Sequence, residues 1–327
     1  MGRKKILALC LMVIIAVCLC GFTPAGSSSD ASSAPAAGSS GTDTGGGTNY
    51  KASKTGEEYP YEVPPLKEAI FHADLASGNG AAWIDTSAVS DGYVAAAAVN
   101  ANRLKFQIRF GDLTVNYNLP SDGTPLVFPL VFGDGEYNFR IMCNVTENRY
   151  AEEYSVLQYV TLSDPFGPYL RPNVYVHYTA DYNCVKKAKE LAASAKNQVQ
   201  VVEAIYNFII GNVRYDFEKA ATVQSGYVPD PDETLATGIG ICFDYSALAA
   251  AMLRSLGIPT KEVHGYVAPN GLYHAWNMFY TPETGWVTVQ FTAEPDGWCR
   301  MDSTFGAAGQ ANNFIGDGTN YSDVYYY

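Results

Sequence analysis

The chain has 327 residues, 47% of them hydrophobic and 17% charged, which is enough for one large or two modest domains with real cores. Its formal net charge is −12, and more negative still without Arg3, Lys4 and Lys5 at the front. That balance argues against nucleic acid or an anionic lipid surface as the main partner.

Residues 1–25 read as a signal peptide or membrane anchor. Three bases precede an apolar run from Ile6 to Cys20, shorter than the ~20 residues of a full span. Thr23-Pro24-Ala25 offers small residues for cleavage after Ala25. Lipid modification of Cys20 is the rival reading, although Leu19 is larger than the residue that normally precedes a modified cysteine, and Val17 before Cys18 fails in the same way. Either route makes the protein extracytoplasmic, secreted or anchored, with the membrane touched only through this segment. Residues 26–58 are mostly Gly, Ser, Ala and Thr. They cannot bury enough surface to offset the entropy of ordering, so they form a tether with a reach of roughly 30 Å.

Beyond the signal, Cys143, Cys184, Cys242 and Cys299 remain. These are too few for a disulfide scaffold and lack the C-x-x-C spacing of a structural zinc site, so neither metal nor cofactor is expected.

Residues 59–175 read as a β-rich, sandwich-like domain. Leu104, Phe106, Ile108 and Phe110 alternate with polar residues, Gly111-Asp112 makes a turn, and Leu113, Val115, Tyr117 and Leu119 alternate again, which predicts a hairpin. A strand at Leu126–Phe132, the Gly133-Asp134-Gly135 turn, and a strand placing Tyr137, Phe139, Ile141 and Cys143 on one core-facing side follow. No chemistry is legible in this domain.

Residues 176–327 form the second domain. Between 182 and 213 the period becomes helical: Cys184, Ala188, Leu191 and Ala192 make one stripe, Val199, Val202, Ile205, Tyr206 and Ile209 a stronger one. Gly211 is expected to interrupt the second helix. A loop rich in Pro and Asp, including Tyr227-Val228-Pro229-Asp230-Pro231-Asp232, then leads to Gly238-Ile239-Gly240-Ile241-Cys242. From Cys242 the pattern Tyr245, Leu248, Ala249 and Met252 predicts a helix ended by Gly257 and Pro259. Strands are expected at Thr260–Val267, Leu272–Tyr280, Trp286–Phe291 and Trp298–Asp302. One helix packed on an antiparallel sheet, an α+β arrangement, is the economical solution.

A cysteine in the first turn of a helix faces unpaired backbone N–H groups and the positive end of the helix dipole, which favour thiolate over thiol. It is equally an ordinary small core residue. A nucleophilic thiol needs a base, and the base needs a group that fixes its orientation. His274, in Tyr273-His274-Ala275-Trp276-Asn277, can be the base, and Asp302, expected near a strand end, the orienting acid, although Asp302 could instead open a turn. His264 occupies a strand position between Val263 and Gly265, and His72 and His177 have no partner pattern.

These residues carry a resemblance. Gly240-Ile241-Cys242 with Asp244-Tyr245, Leu253-Arg254-Ser255-Leu256-Gly257-Ile258-Pro259, Gly265-Tyr266, Tyr273-His274-Ala275-Trp276-Asn277 and Met301-Asp302-Ser303-Thr304-Phe305 stand in the order found in the transglutaminase-like superfamily, which the stretch from about 200 to 306 resembles. The resemblance implies a papain-like α+β core, a Cys242-His274-Asp302 triad and acyl transfer through a thioester. Relatives include crosslinking transglutaminases, peptidases and amidases, and copies that have lost activity. In many of them the acid lies on the strand that directly follows His-Ala-Trp. Here that strand carries Gln290, so either an extra strand precedes Asp302, which is the expectation, or the third role is empty or filled by an amide. The implied function is an extracytoplasmic cysteine hydrolase or acyltransferase acting on peptide or Gln side-chain amides. A catalytically inactive binding or scaffold module at the cell surface is the alternative. The oxyanion would be held by the Cys242 N–H and a second donor, with Tyr215 and Tyr227 as candidates. The partner would be a protein, a peptide or cell-wall material.

Overall fold

The computed structural model describes residues 61–268, 271–281, 285–288, 302–307 and 321–327. The export segment, the tether, Gln290, Cys299 and the body of the strand expected at 298–302 lie outside them. Two units are present: Glu68–Val174, and Tyr175–Tyr327 together with the segment that ends at Lys67.

The first unit is built from eight strands: β1 (Ser77–Gly78), β2 (Ala82–Asp85), β3 (Tyr93–Ala98), β4 (Leu104–Phe110), β5 (Leu113–Leu119), β6 (Leu126–Pro129), β7 (Gly135–Thr146) and β8 (Arg149–Val160). They form two antiparallel sheets, ordered β1-β2-β3-β6 and β5-β4-β7-β8. The expected hairpin is β4–β5, with Leu104 opposite Leu119 and Phe110 opposite Leu113. Inward residues of the two sheets meet: Phe106 of β4 stacks on Phe128 of β6 at 4.3 Å. The unit is therefore a small sandwich. Tyr137, Phe139 and Ile141 are buried as the alternation requires. Cys143 is only half-buried, because a register shift after Ile141 brings Met142 inward and leaves Cys143 toward the strand's end.

The second unit contains α1 (Asn183–Ala192), α2 (Gln198–Asn212), β9 (Arg214–Tyr215), α3 (Phe217–Thr222), α4 (Pro231–Thr237), β10 (Ile239–Gly240), α5 (Cys242–Ser255), β11 (Thr260–Val267), β12 (Leu272–Thr281), β13 (Gly285–Thr288), α6 (Ser303–Ala307) and β14 (Tyr321–Tyr326). The main sheet is antiparallel, ordered β13-β12-β11-β14, and β9 pairs with β10 in parallel. Gly211 does not interrupt α2, which runs through it to Asn212; with nothing near its α-carbon, the glycine costs helix propensity but forces no break. The Pro- and Asp-rich stretch is not a plain loop either. Asp216 caps α3 by accepting from the Lys219 N–H. Asp230 caps α4 with Pro231 in its first turn, a pairing that starts helices because Pro lacks the N–H that would go unpaired there.

Helix α5 is the axis of this unit. Every residue from Phe243 to Ser255 is buried, while Cys242 at its start is half-buried. Leu248, Met252 and Leu253 enter a core shared with Val202, Ile205 and Ile209 of α2 and Cys184, Val185 and Ala188 of α1. Each of the Leu, Ile, Val and Met side chains among them contributes about 1.5–3 kcal/mol when removed from water. Cys184 is thus a packing residue, and burial raises its thiol pKa well above the ordinary range. Polar bonds fix α5 at both ends. The Tyr245 hydroxyl donates to the Val213 carbonyl at 2.7 Å, and the Arg254 Nε donates to the Thr260 carbonyl at 2.8 Å. Against the sheet, the Asn277 amide donates to the Ser246 carbonyl at 3.0 Å.

Candidate active site

Three local devices place Cys242. Gly238 ends α4 with φ +62°, a conformation that favours glycine. Gly240 follows, and a β-carbon there would stand 2.6 Å from the Asp244 β-carbon. The reason is that Asp244 folds back, its Oδ2 accepting from the Ile241 N–H at 2.7 Å, which caps the helix one residue before the cysteine. Asp244 is fully buried. It is neutralised by the Lys219 ammonium at 2.8 Å and accepts from the Tyr227 hydroxyl at 2.5 Å. The start of α5, and with it the thiol, is clamped by this cluster.

His274 approaches from β12. Its Nε2 lies 2.6 Å from Asp302 Oδ2, both side chains being at least 98% buried. The ring stacks on Phe305 at 4.7 Å and against Trp276 at 6.2 Å. Nδ1 makes no hydrogen bond of ordinary geometry, and the Cys242 thiol is near enough to bias the ring's protonation. Burial alone would push the imidazole pKa down. The Asp302 charge and hydrogen bond, joined by Cys242, outweigh it and raise the value to about 10. Cys242 and His274 line one cavity, together with Tyr215, Phe243, His264 and Tyr273.

Asp302 reaches His274 from a different element than expected. It is not in a strand but immediately precedes α6, and its Oδ1 accepts from the Phe305 N–H at 3.0 Å. Asp-Ser-Thr is helix-start chemistry, so the residue caps α6 with one oxygen and holds His274 with the other. The Tyr321 hydroxyl also donates to Oδ2, at 3.1 Å. Tyr321 lies on β14, a strand the periodicity did not reveal.

Of the two candidate oxyanion donors, Tyr215 lines the cavity. The Tyr227 hydroxyl is committed to Asp244 and accepts from Lys219 at 2.6 Å; burial, reinforced by Asp244, raises its pKa and keeps it protonated. The Cys242 N–H lies in the first turn of α5, where intrahelical acceptors are lacking. His264, dismissed from its strand position, lines the same cavity. His72, in the other unit, has partners after all, but Asp85 and Ser87 both meet its Nδ1, so the ring cannot relay a proton between them. Among the described residues there is no cluster of three metal-binding side chains, and no helix is long and apolar enough to cross a membrane.

A cysteine at the start of a buried helix, packed on an antiparallel sheet whose second strand carries a carboxylate-bound histidine, defines a papain-like, transglutaminase-like α+β core. Residues 185–303 match the family model described as the transglutaminase-like superfamily. Similar proteins include a protein-glutamine gamma-glutamyltransferase of Pseudomonas aeruginosa, 31% identical over 112 residues, which are 31% of this chain and 16% of that protein. Among solved structures, a candidate cysteine protease of Cytophaga hutchinsonii is 16% identical with a TM-score of 0.38, covering 71% of this chain and 73% of its own. The periplasmic domain of TgpA from Pseudomonas aeruginosa is 17% identical with a TM-score of 0.34, covering 73% and 75%. The matches span only 16% to 23% of the length of the curated relatives.

Proposed function

We propose that the protein is an extracytoplasmic cysteine hydrolase or acyltransferase that acts on peptide or Gln side-chain amides, with Cys242 as nucleophile, His274 as its base and Asp302 as the group that orients the base. The observation that carries this reading is the placement of His274, bound to Asp302 at 2.6 Å and sharing a cavity with the Cys242 thiol. A ring that keeps its proton up to about pH 10 suits a thiolate–imidazolium pair at neutral pH. The thiolate attacks the amide carbonyl, the oxyanion is met by the Cys242 N–H with Tyr215 nearby, and His274 delivers its proton to the departing amine. Water or a lysine amine then resolves the thioester. The glutamyltransferase named above supports a protein or peptide substrate in this class of chemistry.

The extracytoplasmic setting is supported by the basic and apolar pattern of residues 1–25, as signal or anchor, and by the tether at 26–58. Residues 59–175 would then be a supporting or binding module, and 176–327 the catalytic one.

The test is labelling with a thiol-reactive probe across pH, mapped by peptide mass because Cys143 and Cys184 are also free. Cys242 should label fast near neutral pH, not at all in Cys242→Ala, and at least tenfold more slowly in His274→Ala. Equal, slow labelling of wild type and His274→Ala would favour a silent binding module instead.

A further inference from the structure

Glu262 and His264 form a second imidazole–carboxylate pair at the same cavity, and the reading above leaves it without a role. Two residues apart on β11, they share one face of the strand. His264 Nε2 lies 3.0 Å from Glu262 Oε1, with side-chain exposures of 6% and 0%. The same oxygen accepts from the Ser246 hydroxyl at 3.0 Å. Glu262 Oε2 is buried without a hydrogen bond. Burial raises the Glu262 pKa, against the opposing pull of His264, Ser246 and Arg254.

The ladder sets His264 opposite Ala275, so both leave the sheet on one side, and both line the cavity with Cys242. Edge contacts with Phe243 at 4.6 Å, Tyr327 at 5.1 Å and Tyr273 at 6.1 Å fix the ring. An apolar side chain would fill such a position without the cost of a buried carboxylate. A buried imidazole–carboxyl pair kept in the wall of a cleft beside a nucleophile points to chemistry.

We propose that His264, oriented by Glu262, is the base of the second half-reaction, in which the acyl acceptor resolves the Cys242 thioester. The assignment rests on the thioester reading of Cys242. In the first half-reaction His274 has given its proton to the departing amine. The acceptor, water or a primary amine, then attacks the thioester carbonyl and passes a proton to the His264 imidazole. The new C–O or C–N bond forms, the C–S bond breaks, and its electron pair returns to Cys242 as thiolate. The proton on His264 moves through solvent to His274, restoring the imidazolium that opened the cycle. His264 touches the acceptor in this scheme, and Glu262 is a positioning residue. The titratable and charged groups around the ring are Glu262 and Arg254, Tyr175, Tyr273 and Tyr327, and Tyr325 opposite it on β14, with Tyr215, Cys242 and His274 in the same cavity.

The test uses the full chain with p-nitrophenyl acetate, whose released phenolate reports acylation as a burst and deacylation as the steady rate. For His264→Gln the burst should stay within about twofold of wild type while the steady rate falls roughly 100-fold, the scale of a lost general base. Hydroxylamine, a nucleophile that needs no base, should restore the steady rate of His264→Gln but not of His274→Ala. Glu262→Gln should slow deacylation less and move its pH midpoint. The burst itself shows that each variant is folded. An unchanged steady rate in His264→Gln, or loss of its burst, overturns the assignment while leaving the thioester reading standing. No burst from the wild type removes that reading and this assignment with it.

Discussion

Replacing Asp302 by Asn isolates what the carboxylate does for His274. The imidazole pKa is raised from 6.5 to about 10 in the folded protein, so the fold holds a proton that the unfolded chain releases. A raised histidine pKa stabilises fully below the unfolded value, and the stabilisation is lost as pH rises through the folded value. The window is therefore about 6.5 to 10. Within it one bound proton gives a slope of about −1.4 kcal/mol per pH unit, on the order of 5 kcal/mol across the whole range. Asn preserves the shape and can still accept from the Phe305 N–H, but it removes the charge. Burial, the largest influence on the ring and one that lowers its pKa, then prevails, and the excess slope should vanish. A Cys242 thiolate has given up a proton that the unfolded thiol keeps, which would offset the ring's, so the comparison is made without the thiol: urea unfolding of Cys242→Ala and of Cys242→Ala with Asp302→Asn at half-unit steps from pH 6 to 9.5 measures the difference, below the range where ordinary tyrosines titrate. Cys242→Ala should lose stability more steeply than the double variant by about 1.4 kcal/mol per unit. Parallel curves for the two proteins would refute the coupling.

Other substitutions probe the frame. Tyr321→Phe removes one donor from Asp302 Oδ2 and should cost about 1 kcal/mol in urea unfolding. Gly265→Ala would drive a β-carbon into the Ser322 carbonyl and the Trp276 indole; about 1–3 kcal/mol should be lost, with a change in tryptophan emission. Lys219→Met strips the buried Asp244 of its cation and should cost about 2 kcal/mol, part of which Asp244→Asn in the same chain should recover, as a double-mutant cycle would show.

Much of the core was legible because its signals are local. The glycines before Cys242, the helical spacing after it and the breaks at Gly257 and Pro259 each follow from backbone geometry. β11 runs over Thr260–Val267 as expected, and β12 ends one residue later than read, at Thr281. The hairpin of β4 and β5 was equally clear. β3 was not, because its run Ala95–Ala98 is buried throughout and does not alternate.

What escaped depends on partners distant in sequence. Strand periodicity tells which face a side chain takes, not what lies opposite, so His264 looked like a plain strand residue until the start of α5 was set beside it. The Glu262-x-His264 spacing, which puts an acid and an imidazole on one face, was the available signal. β14 and its Tyr321 are recognised only through pairing with β11, about sixty residues earlier. Asp302 does lie against His274, but its Asp-Ser-Thr context already spoke for a helix cap rather than a strand end. Asp216 and Asp230-Pro231 carried the same message at α3 and α4.

The most direct test of the account is intact-protein mass spectrometry after exposure to an activated acyl ester, with the site mapped on peptides. The account predicts one acyl group on Cys242 of the wild type, removed by hydroxylamine, absent from Cys242→Ala and at least tenfold slower to form in His274→Ala. Acylation elsewhere, or on Cys242 at the same rate with and without His274, would contradict it.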